Sequence, residues 1–61
     1  MASHDSDLKE LDNRIKLIEK ATTELMALSK DNPSVYKNAK RIMATVNILK
    51  LEVSDLLDFK V

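Results

Sequence analysis

Side chains able to do acid–base or nucleophilic chemistry are scarce in this sequence. It has one His, no Cys, and serines only at positions 3, 6, 29, 34 and 54. No nucleophile can be paired with a base and an orienting group, so an enzyme is not expected. The absence of Cys removes disulfides and zinc–thiolate centres from consideration. One sharp metal candidate remains. If Met1 is removed, the chain begins Ala2-Ser3-His4, and a free amine, two backbone amides and the His4 imidazole suit the square plane favoured by Cu(II) or Ni(II). The competing reading is a tail with an incidental His, and no cofactor or resident metal is expected.

The second cluster with chemical potential is basic. Lys30, Lys37, Lys40 and Arg41 fall within twelve residues and could grip phosphates. Ten basic residues are balanced by ten acidic ones, however, and the aromatic residues number one Tyr and one Phe. A neutral chain without stacking platforms is a poor candidate for nucleic acid. Carboxylates early in the chain are spaced for i,i+4 ion pairs instead, Glu10 with Arg14 and Asp12 with Lys16.

What would position these groups is helical. Gly is absent and Pro occurs once, which removes most of the turn chemistry that strands require. From Val35 the apolar residues continue as Ala39, Ile42, Val46, Leu49, Val53 and Leu56, in steps alternating four and three. That is a heptad seam, which keeps its side chains facing a neighbouring helix. An earlier seam runs Leu8, Leu11, Ile15, Ile18, Thr22, Leu25 and Ser29. Between them lies Asp31-Asn32-Pro33, where Asn32 is a preferred N-cap and Pro33 suits the first helical position. With no Gly available, any left-handed residue closing the first helix must be Asp31 or Asn32.

The expected fold is all-α: an antiparallel two-helix hairpin, with helices over about 7–30 and 33–59 and a turn at about 30–33. Residues 1–6 are expected to be a flexible tail, with Ser6 or Asp5 capping the first helix, and residues 7–61 a single domain. No apolar run approaches the roughly 20 residues of a membrane span, and the polar N-terminus lacks a signal-peptide core, so the expected setting is cytoplasmic.

The helices carry more apolar side chains than one seam needs. Leu17, Met26, Met43, Ile48, Leu51 and Leu57 lie outside it and are the expected partner-binding residues. The hairpin should therefore assemble into a four-helix bundle, with itself or with a helical partner, and act as an interaction or adaptor module. One alternative is a chaperone masking an amphipathic helix of an assembly subunit; another is a dimeric nucleic-acid binder using the basic cluster. Architecture and length resemble those of the plasmid copy-number protein Rop, a hairpin that dimerises into a four-helix bundle, though without residue-level correspondence. Pro33-Ser34-Val35-Tyr36 resembles the post-turn segment of the small co-chaperones of type III secretion needles over those few residues. Lys40-Arg41-Ile42 resembles a stretch of a short ribosomal hairpin protein whose family is strongly basic, where this chain is neutral.

Overall fold

A computed structural model of the chain describes the backbone of residues 4–58 and the side chains of residues 7–56. It contains two α-helices, α1 (His4–Leu28) and α2 (Pro33–Asp58), packed against each other as a hairpin. The first helix begins earlier than the sequence suggests. Positions 5 and 6, expected to cap it, are already helical. Acidic residues at 5 and 7 are favoured by the helix dipole in a first turn, which is a physical reason for the extension. The imidazole of His4, the one metal candidate, and the side chain of Leu57 lie outside the described residues.

The connection closes without a left-handed residue: no described residue has positive φ. Helix α1 tightens instead, the Ser29 amide donating to the Met26 carbonyl at 3.3 Å and the Asn32 amide to the Ser29 carbonyl at 2.9 Å. These are i→i−3 bonds, the usual way a helix end satisfies carbonyls when no glycine is present. The Asn32 carbonyl then accepts the first bond of α2, from the Tyr36 amide at 2.9 Å. Asn32 thus stands at the N-cap position as expected, but its side chain makes no hydrogen bond among the described residues.

Packing between the helices uses one line of side chains from each. On α1 the buried positions are Ile15, Thr22 and Ser29; on α2 they are Ala39, Val46 and Val53. Each set repeats every seven residues, as a left-handed helix pair requires. Small residues cluster near the connection, where Thr22, Ser29 and Ala39 let the backbones approach. Bulkier Ile15, Val46 and Val53 form the apolar cluster further along, with Met43 and Leu49 half-buried against it. The two buried hydroxyls are satisfied locally: Thr22 donates to the Ile18 carbonyl at 2.7 Å, and Ser29 to the Met26 carbonyl at 3.3 Å. Buried polar groups in the seam therefore leave no described side-chain donor or acceptor unpaired.

Two expected outcomes follow from this geometry. Ala39 is fully buried at the close approach. Ala39→Leu should force the helices apart and cost about 1–3 kcal/mol; an unchanged denaturation midpoint would show that the helices do not meet there. Asn32→Ala should cost less than about 0.5 kcal/mol, since no side-chain cap bond is lost. A loss near 2 kcal/mol in the same melt would show that the amide caps α2 in solution.

Candidate interaction face

The expected seams hold two sets of positions, and the structure separates them. Beside each buried line runs a second apolar line, three residues further on: Leu11, Ile18 and Leu25 on α1, and Ile42, Leu49 and Leu56 on α2. Apart from Leu49, which is half-buried against the apolar cluster, these do not close the hairpin. Leu11 is 50% exposed, Ile18 43%, Ile42 43% and Leu56 51%. The physical reason is that two helices touch along one line only, so a heptad's two apolar positions cannot both be covered by one neighbour.

The direction in which this second line faces follows from helix geometry. At 3.6 residues per turn, a residue three positions after a buried one sits about 60° to one side of it. A residue four positions after sits about 40° to the other side. Glu19 and Lys50 are four after Ile15 and Val46, and they meet across the hairpin with Lys50 Nζ 2.9 Å from Glu19 Oε2. In an antiparallel pair, residues rotated in the same sense therefore share a side. By the same geometry, Leu11, Ile18 and Leu25 share the opposite side with Ile42, Leu49 and Leu56. The hairpin has one flank on which Asp12, Glu19 and Lys50 interrupt Met26 and Met43, the polar flank, and one apolar flank whose line is Leu and Ile throughout.

Thickness makes the consequence plain. The molecule is a layer of two helices, 46 Å in its longest dimension, with a radius of gyration of 14.3 Å. A compact chain of this length would have a radius near 10.5 Å. Its accessible surface is 5054 Å², against about 4000 Å² for a compact monomer of the same mass.

The expected partner-binding residues fall in three places. Met43 packs against the apolar cluster and belongs to the hairpin's own core, and Met26 is half-buried on the polar flank. Leu17, Ile48 and Leu51 are 58%, 56% and 67% exposed. They lie about 160° round their helices from the buried lines, on the outer surfaces of the layer. The apolar flank was missed because the seams were read as a unit. The signal that separates its two lines is present in the sequence. Three residues after Leu8, Ile15, Thr22, Ala39, Val46 and Val53 stands Leu or Ile; four after them stand Asp12, Glu19, Met26, Met43, Lys50 and Leu57.

Lys37, Lys40 and Arg41 are exposed on α2 and Lys30 in the connection, so the basic cluster does gather at the loop end. Lys40 is further engaged, its Nζ 5.7 Å from the centroid of the Tyr36 ring. Glu10–Arg14 and Asp12–Lys16 form the expected i,i+4 ion pairs, at 3.5 and 3.0 Å, and are largely solvated. No described helix is long and apolar enough to cross a membrane.

The Glu19–Lys50 pair seals the polar flank without carrying much energy, because both side chains are substantially exposed. Lys50→Met should lower stability by under about 1 kcal/mol at low salt, and by less when salt screens the pair. Loss of several kcal/mol in thermal melts would instead make the pair a determinant of helix register. No family model, curated protein or solved structure matches this chain.

Proposed function

We propose that this protein is a non-enzymatic helical interaction module, whose working surface is the apolar flank of the hairpin. The observation that carries the reading is the continuity of that flank: six Leu and Ile side chains, three from each helix, aligned on one side and about half exposed or only partly buried. Each is worth roughly 1.5–3 kcal/mol when fully removed from water. Scattered apolar residues on a surface need no explanation, but a stripe along both helices of a layer marks a surface made to be covered. Helices suit it best as cover, because they extend the heptad packing the hairpin already uses and complete a four-helix bundle.

Lys20 and Asn47 are exposed and stand away from the apolar flank, on outer surfaces where the apolar residues Leu17, Ile48 and Leu51 form no continuous line. Position-specific photo-crosslinking in the cells that make the protein tests the reading. A benzoylphenylalanine in place of Ile18 or Ile42 should give adducts with polypeptide, of whatever identity, while one in place of Lys20 or Asn47 should give few. Equal yields from both sets of positions, or none from the apolar flank, would contradict it.

A further inference from the structure

We infer that the helices covering the apolar flank belong to a second copy of this chain, laid face to face with its connection at the opposite end. This rests on the flank being an interface, and it adds the partner and the orientation.

Area favours a second copy. The excess of 5054 Å² over the surface of a compact monomer is about 1000 Å², close to the roughly 800 Å² that each partner contributes to a standard specific interface. A two-fold pair buries the same flank on both copies, so a single self-complementary surface solves the problem for each.

Register favours it too. When two hairpins stack with connections at opposite ends, α1 crosses antiparallel over the partner copy's α1, and α2 over its α2. The line Leu11, Ile18, Leu25 is symmetric about Ile18, so Ile18 meets its own counterpart and Leu11 meets Leu25. On α2, Ile42 meets Leu49, with the axis midway between them. Ile18 and the midpoint of Ile42 and Leu49 stand at the same height in the hairpin to within about one helical turn. One axis therefore serves both helices.

Charge selects the orientation. The connection and first turns of α2 hold Lys30, Lys37, Lys40 and Arg41 against one acid, Asp31. Among the described residues the open end holds Asp7, Glu10, Asp12, Glu52 and Asp55; Glu10 and Asp12 are paired with Arg14 and Lys16, which leaves Asp7, Glu52 and Asp55 against Lys9. Stacking connections at the same end would set the two basic ends against each other. At opposite ends, each basic end lies beside an acidic one. A specific pair follows. Arg41 and Glu52 are exposed and are in no ion pair among the described residues. On α2, Glu52 stands about 100° from the buried line, on the side of the apolar flank, and Arg41 about 160° from it, on the outer surface next to that flank. They are eleven residues apart on the same helix, about 16 Å, which is too far for contact within one copy. With Ile42 over Leu49, Arg41 of one copy comes within about one turn of Glu52 of the other, twice by symmetry.

Charge reversal at these two positions is the test, read as the dimer dissociation constant of the purified chain by sedimentation velocity. Arg41→Glu and Glu52→Arg should each weaken association roughly tenfold at low salt, through two pairs turned repulsive. The double variant, Arg41→Glu with Glu52→Arg, should return to within about threefold of the unmutated chain, because the pairs re-form with their signs exchanged. Both side chains are exposed, so helix content should be unaffected; circular dichroism checks this. Weakening in the double variant equal to the two single effects combined would overturn the opposite-end arrangement. An unmutated chain that stays monomeric at high micromolar concentration would overturn the second copy as partner. Adducts from Ile18 and Ile42 in cells would then still stand for the interaction reading, so the two failures are distinguishable.

Discussion

Two cylinders laid side by side touch along one line, and the rest of this structure depends on that restriction. Each helix presents a heptad pattern with two apolar positions per repeat, but a single neighbour can cover only one of them. The hairpin resolves the conflict by size. Small or β-branched residues (Ile15, Thr22, Ser29, Ala39, Val46 and Val53) take the line of contact, where the backbones must approach. Larger Leu and Ile side chains are left beside it. What remains is a core of very few residues, with most of an apolar line on each helix still facing water.

A core that small is a weak basis for stability. Chains of about 60 residues bury a modest fraction of their surface even when compact, and this one is extended rather than compact, with a radius of gyration of 14.3 Å. It has neither of the usual remedies at hand, since disulfides and thiolate metal sites need the Cys it lacks. Helix α2 also runs against its own dipole: it has no acidic residue in its first turn and no basic one in its last. Such an arrangement costs a few tenths of a kcal/mol per charge in an isolated helix. It becomes favourable when a basic end is set beside an acidic end of another copy, so one assembly answers both the uncovered apolar line and the unfavourable charge order.

Much of the fold was legible in the residues. Pro33 after Asn32 placed the break, and the seven-residue recurrence placed both helices and their antiparallel contact. The boundaries were less legible. The start of α1 at His4 depends on a first turn whose acids are compatible with either a cap or a helix, and the end of α1 on i→i−3 bonds that no residue type signals. The candidate interaction face was half legible. An excess of apolar surface could be counted from Leu17, Ile48 and Leu51, but these proved to lie on the outer surfaces. The flank itself was concealed within the seam. Leu11, Ile18 and Ile42 satisfy the same period as their buried neighbours, and periodicity alone does not say which of two lines a lone neighbour covers. The decision comes from side-chain size at the contact and from Glu19 and Lys50 marking the opposite flank.

On the proposed reading the hairpin is half of a core, and its stability resides in covering the other half. The most direct measurement is the thermal unfolding midpoint of the purified chain over a thousandfold range of protein concentration. Folding coupled to association should raise the midpoint steadily with concentration, by mass action. A high midpoint that does not move across that range, in a chain that sediments as a monomer, would show that the single layer of two helices is sufficient by itself and would contradict the claim.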